Sequence, residues 1–351
     1  MTAAAALVAL FTFPIAGIAQ ESPRPFAEQI EVSAVLIDAI VTDRSGRQIL
    51  GLSKDDFVVT ENGVEQKVDS IGYYTNLQLL DAREESAPFQ VERIREPRTF
   101  VFFFDKPEDP GVLWDRIMRA REAARNFIET EMAPDDRIAI VGHDRRLKIY
   151  SDFTSDKSRL KRALNDVSTF GRGVMKGGTG TPSILGNISS DALMMRTGTV
   201  YEALDKLADA LRPIRGRKTL VLFSPGIRDL DETLRDETLV SRSRHLDPML
   251  ESLNAANVAV YPVQIQRETV TAMVAHQRLE EIAGATGGEY FRMNMTFDPA
   301  LDKIENGSNG YYLITYQSRR PKGSRGFQKV DVSVRNSEFR VVARPGYPYG
   351  D

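Results

Sequence analysis

The run Thr99–Phe104 (TFVFFF) is apolar at five successive positions and ends on Asp105. A strand with one face in water alternates, whereas one apolar throughout is covered on both faces, as in a parallel sheet between helices. The same character returns in Arg137–Gly142 (RIAIVG), Thr219–Phe223 (TLVLF) and Val258–Ile265 (VAVYPVQI), with shorter strands expected at Leu147–Phe153 and Glu289–Phe291. Helical spacing lies between them. Leu113–Met132 places Leu113, Ile117, Ala120, Ala124, Phe127 and Ile128 on one side, and Ser158–Val167, Ala203–Leu211, Leu246–Ala256 and Leu279–Ala285 follow. This alternation predicts an α/β domain over 99–295, doubly wound around a mainly parallel sheet.

Outward from that domain the pattern changes. Residues 30–80 read as strands: Glu31–Thr42 is β-branched and apolar, Phe57–Thr60 is a second strand, and Asn62-Gly63 tolerates the positive φ of a type I′ hairpin turn. Residues 309–348 also read as strands, with Val330, Val332 and Val334 alternating with polar neighbours. Neither group is large enough to be a stable sheet by itself. The economical expectation is one small antiparallel β domain built from both ends of the chain, a β-sandwich with the α/β domain inserted into it. Residues 81–98 carry nine charged residues and two prolines, and read as a linker.

At the start, Met1–Ala19 holds no charged side chain and closes on Gly17-Ile18-Ala19 before Gln20. That fits a secretory signal peptide cleaved after Ala19, with an uncleaved anchor as the rival. The expectation is a protein in the periplasm or medium, with no stable membrane insertion after cleavage. Composition narrows the chemistry. The chain has 351 residues, enough for about two domains. With 46 Lys and Arg against 49 Asp and Glu, it lacks the basic field of a nucleic-acid binder. No cysteine is present, which removes disulfides, thiolate metal sites and a Cys nucleophile.

Several stretches together resemble a known family. These are Val41–Val68 (VTDRSGRQILGLSKDDFVVTENGVEQKV), Asp152–Asp156 (DFTSD), Gly216–Gly226 (GRKTLVLFSPG), Asn309–Tyr316 (NGYYLITY), Phe327–Arg335 (FQKVDVSVR) and Ala343–Tyr347 (ARPGY). The domain over 99–295 resembles a von Willebrand factor A-like domain. With its flanks, the chain is similar to the bacterial VWFA-related family described in Acidobacteria. The resemblance implies export and protein–protein binding, with no established activity.

It also implies where a metal would lie. Such domains hold Mg2+ on an Asp-x-Ser-x-Ser after the first strand, a Thr before a later helix and an Asp after the fourth strand. Mg2+ demands octahedral oxygen ligands. Here the first strand ends Asp105-Lys106-Pro107-Glu108-Asp109, so Pro107 replaces a ligand. The Thr position falls on Gly198 or Thr199, and Pro225 stands for the later Asp. A metal site would rest on Asp105, Asp109 and Thr199, and with two ligands lost the expectation is no cofactor. The degenerate site leaves a protein partner to meet the loops after the strands, with Lys106, Glu108, Asp109, Arg228 and Asp229 as surface candidates.

Other chemistries fit less well. Leu222–Gly226 resembles a hydrolase elbow with Ser224 as nucleophile and His245 or His276 as base, but Pro225 lacks the N–H an oxyanion hole needs. Asp105 as an aspartyl-phosphate nucleophile lacks a second Asp at Pro107. Gly178–Pro182 matches no phosphate-loop pattern. Arg212, Arg215, Arg217 and Lys218 read as a solvated basic surface, and His143 as a hydrogen-bonded structural residue. The reading is therefore a non-enzymatic binding or scaffold protein. A Ser224 in contact with a carboxylate-held His would favour the hydrolase, and a complete ligand set around Asp105 the metal-dependent adhesion module.

Overall fold

The computed structural model describes residues 30–75, 92–106, 110–174, 182–227, 244–266, 273–292, 296–321 and 323–350. The expected signal peptide lies outside them, as do residues 81–91 of the expected linker.

The ends of the chain share a sheet. β1 (Ile30–Thr42) runs antiparallel to β11 (Gly310–Pro321), with Ile37 opposite Ile314. β4 (Val68–Thr75) lies on the other side of β11, and β13 (Arg340–Ala343) pairs with the end of β1. β5 (Glu92–Arg95) adds a parallel strand beside β4, so the charged segment expected as linker contributes to the sheet. A second sheet holds β2 (Phe57–Glu61), β3 (Val64–Gln66), β12 (Gly326–Val334) and β14 (Gly346–Tyr349). Asn62 at φ 50° and Gly63 at φ 82° make the turn between β2 and β3. The two sheets bury Ile37, Phe57, Val59, Tyr312, Ile314, Val330 and Val332 between them. Glu61 is buried in this layer, where it accepts hydrogen bonds from Tyr316 Oη (2.8 Å), Ser318 Oγ (2.7 Å) and Tyr347 Oη (2.9 Å).

The inserted domain is built around β6 (Thr99–Asp105). β7 (Arg137–His143) and β9 (Lys218–Ser224) flank it in parallel, and β10 (Val258–Gln264) extends the sheet beyond β9. β8 (Leu147–Thr154) is antiparallel to β7, because the three residues Asp144–Arg146 joining them are too few for a crossover. Counted along this domain, the strands lie in the order 3-2-1-4-5, the doubly wound arrangement with the switch between the first and fourth.

The apolar run of β6 divides by parity. Phe100, Phe102 and Phe104 pack with α1 (Pro110–Thr130), α2 (Lys157–Ser168) and α7 (Asp298–Gly307), while Val101 and Phe103 face α4 (Val200–Leu211), α5 (Leu246–Ala255) and α6 (Met273–Thr286). Phe102 meets Phe127 edge-on at 5.4 Å, and Phe104 stacks on Phe223 at 4.9 Å between centroids. A short α3 (Ser190–Met194) precedes α4. Neither α3 nor α7 is expected from the sequence. The strand expected at Glu289–Phe291 reduces to a single bridge between Val263 and Phe291.

Two connections join the domains, Glu96–Arg98 before β6 and Ser308–Asn309 before β11. Arg98 clamps them together. Its guanidinium is buried and donates to Asp136 (2.7 Å), Glu305 (2.7 Å), Asn309 Oδ1 (2.8 Å) and the Glu131 carbonyl (3.0 Å). Burial opposes its charge, but the bonds and charge of Asp136, aided by Glu305, hold its pKa above the ordinary arginine value. A cavity of about 30 Å³ beside this clamp, lined by Glu96, Arg98, Thr219 and Tyr311 among others, has room for water rather than substrate.

Candidate functional site at the end of the central strands

In an open α/β sheet, ligands meet the carboxyl ends of the strands where the order reverses. Here that point lies between β6 and β9. β6 ends on Asp105, β9 on Ser224 and β7 on His143, and the pairing register sets Asp105 directly beside His143. Three neighbouring strands thus deliver a carboxylate, a hydroxyl and an imidazole to one place.

The three side chains are buried and bonded to each other. Ser224 Oγ donates to Asp105 Oδ2 at 2.9 Å and accepts from the Gly226 N–H at 3.2 Å. His143 Nδ1 lies 3.2 Å from Asp105 Oδ1, and its Nε2 lies 2.9 Å from Thr197 Oγ1. With the carboxylate as acceptor, a neutral His143 carries its proton on Nδ1 and accepts from the Thr197 hydroxyl. The backbone closes the group: Lys106 N–H donates to the His143 carbonyl, and Thr197 N–H to the Arg145 carbonyl at 2.8 Å. Ser224 is 0% exposed and Asp105 only 7%.

This arrangement defines what the residues can do. A serine nucleophile needs a base on its hydroxyl. Ser224 instead donates its hydrogen bond to Asp105, and that carboxylate stands between it and His143. His276 is buried beside Gln264, and His245 lies near Glu202, 3.8 Å away. Tested against Mg2+, the described donors do not make an octahedral oxygen shell: both Asp105 oxygens face donors, one neighbour is an imidazole, and Pro225 brings no ligand. Among the described residues no group of three or more His, Asp or Glu is placed to hold a metal.

The other candidates fall elsewhere. Thr199 caps α4, its hydroxyl accepting from Glu202 N–H at 3.3 Å. The threonine that reaches Asp105's neighbourhood is Thr197, two residues earlier. Its signal in the sequence was the Arg-Thr-Gly-Thr stretch, where the register was open. Lys106 is exposed, with Nζ 5.5 Å from the Phe170 ring centre. Pro107, Glu108, Asp109, Arg228 and Asp229 lie outside the described residues, as do 178–181 of the glycine-rich stretch.

The basic cluster is corrected in part: Lys218 is buried and the side chain of Arg217 is only 7% exposed, so neither is solvated. Arg217 donates to the Gly287 carbonyl at 2.7 Å with Asp38 at 4.0 Å, and Lys218 Nζ donates to the Ile214 carbonyl at 2.5 Å. Burial pushes the Lys218 pKa down to about 8 against the opposing pull of Asp38 and Glu96.

No family model matches the chain, and no curated protein matches it. Solved structures similar to it include the von Willebrand factor type A protein from Catenulispora acidiphila, at 10% identity over 93% of this chain and 74% of that one, with a TM-score of 0.40. An aerotolerance-related membrane protein from Bacteroides fragilis matches at 13% identity over 60% of this chain and 98% of its own, TM-score 0.39. The von Willebrand domain of the type V pili tip protein Mfa5 from Porphyromonas gingivalis matches at 13% over 60% and 94%, TM-score 0.38. The central domain is an α/β, doubly wound Rossmann-like fold. That assignment rests on its own strand order, antiparallel edge strand and two helical layers.

Proposed function

We propose that this chain is an exported, non-enzymatic binding or scaffold protein whose A-like domain meets a protein partner through the loops at the carboxyl end of its sheet, without a divalent metal. The observation that carries this reading is the closed group at the switch point. Asp105, the residue on which a metal or a covalent intermediate would depend, spends its two oxygens on Ser224 and His143. What remains for a partner is the exposed polypeptide around that group. Export follows from the apolar Met1–Ala19. Among the described residues no helix is long and apolar enough to cross a membrane.

The test is affinity capture from the extracytoplasmic fraction, followed by titration of the captured protein with and without a chelator. Unchanged affinity on chelation is expected. A large loss restored by Mg2+ would overturn metal independence.

A further inference from the structure

Around the closed group, the surface has a distinct chemistry. The β7–β8 turn, Asp144-Arg145-Arg146, projects beside it. Arg145 is exposed and sits at φ 82°, a left-handed conformation that glycine adopts without strain and a long side chain does not. The strained conformation is held from outside by the bond from Thr197 N–H to the Arg145 carbonyl. The segment before Thr197 brings Met194 and Met195, 55% and 63% exposed, against the turn, with Arg146 Nη1 4.0 Å from Met194 Sδ. On the far side of the hairpin, Val174 N–H donates to the Ile149 carbonyl at 2.6 Å and its side chain is 38% exposed.

The charge here is mostly positive. Among the described residues, Lys106, Arg145, Arg146, Lys148, Arg172 and Arg196 outnumber the carboxylates of Asp144, Asp166, Asp191 and Glu202; Asp144 is taken by Lys148 at 2.7 Å, and Glu202 accepts from the Gly198 N–H. Among the described residues, none of Lys106, Arg145, Arg146, Arg172 and Arg196 has a carboxylate within ion-pair distance. The chain as a whole carries −3, so this concentration of cations opposes its net charge. Exposed methionines beside it add soft apolar area that adapts to different side chains.

We infer that the β7–β8 turn and the Met194–Arg196 segment form a docking surface for an acidic, apolar-flanked segment of a partner protein. The partner's carboxylates sit on Arg145, Arg146 and Arg196, and an apolar side chain sits on Met194 and Met195. This rests on the binding-module reading and adds the partner's chemistry to it.

The experiment uses the full mature chain and fluorescence anisotropy of short labelled peptides: one of Glu and Leu, one with Lys for Glu, and one with Ser for Leu. The Glu–Leu peptide is expected to bind best and to weaken as salt rises. Arg145→Gly is expected to bind it at least about fivefold more weakly while unfolding at higher urea, since glycine relieves the left-handed strain. Those opposite signs separate a binding role from a structural one. Met194→Ser with Met195→Ser should lose affinity without changing the salt dependence.

Equal binding by Arg145→Gly, preference for the Lys–Leu peptide, no binding of the Glu–Leu peptide, or binding only to phosphatidylserine vesicles would each overturn the inference. Capture of a basic protein whose binding depends on Lys106 would overturn the acidic partner and leave the binding-module reading intact. Captured proteins that ignore every substitution at this end of the sheet would remove both.

Discussion

Replacing Asp105 with Ala distinguishes a closed hydrogen-bond group from a metal site that merely lacks its ion. In the structure, Asp105 accepts from Ser224 Oγ and from His143 Nδ1, both buried. Removing the carboxylate leaves two donors without an acceptor, at about 1–3 kcal/mol each. The expected loss is about 2–6 kcal/mol. Asp105→Asn keeps the shape and one good acceptor, and Ser224 can turn to accept from the amide, so its loss should be near about 1 kcal/mol. An empty metal site behaves oppositely, because taking away an uncompensated buried carboxylate is neutral or stabilising. Trp114 is the only tryptophan and sits on α1 of the same domain, so its fluorescence follows unfolding of that domain in urea. With a slope of about 3 kcal/mol per molar, since it grows with chain size, the Asp105→Ala midpoint should fall by about 0.7–2 M. A midpoint unchanged or raised would refute the reasoning.

Arg98→Met strands Asp136 and Glu305 as unpaired buried charges and should destabilise the chain by about 3–5 kcal/mol. Paired urea titrations of the variant and wild type check this; equal midpoints would contradict the clamp. Lys218 has its folded pKa lowered to about 8 from an ordinary 10.5, so the unfolded chain binds more protons between those values and stability from this group rises with pH across that window. Lys218→Met should therefore be the more stable protein at pH 7 and lose that advantage, up to about 3 kcal/mol, by pH 10 in paired urea titrations. Deleting Tyr311–Asp351 removes the strand that pairs with both β1 and β4; limited proteolysis should then cut 30–75 readily and leave 99–307 largely intact, since Glu305 still holds Arg98.

The architecture was readable because the relevant signals are local. TFVFFF and its three counterparts are apolar on both faces since helices cover both, and the alternation of Val330, Val332 and Val334 gave the half-buried strands. Direction was harder: the β7–β8 pair is antiparallel because of a three-residue turn, a feature weaker in sequence than the strands themselves.

The site was less legible for a physical reason. Asp105 and His143 are 38 residues apart, and only the in-register pairing of two parallel strands sets them side by side. The threonine position was read at Gly198 or Thr199, whereas the structure uses Thr197, and α4 takes Thr199 as its cap. Arg98 and Lys218 illustrate the limit of composition. A charged stretch reads as solvated until the distant carboxylates or carbonyls that receive it are known.

The most direct measurement is titration calorimetry of Mg2+ into the full mature chain, with the urea midpoint recorded in the same buffers. A ligand that binds only the folded state raises stability by RT ln(1 + [L]/Kd), about 2.7 kcal/mol at a hundredfold excess over Kd. With Asp105 closed by Ser224 and His143, the expected result is no saturable heat and no shift of the midpoint by Mg2+. Saturable binding that raises the midpoint and disappears in Asp105→Ala would contradict the account.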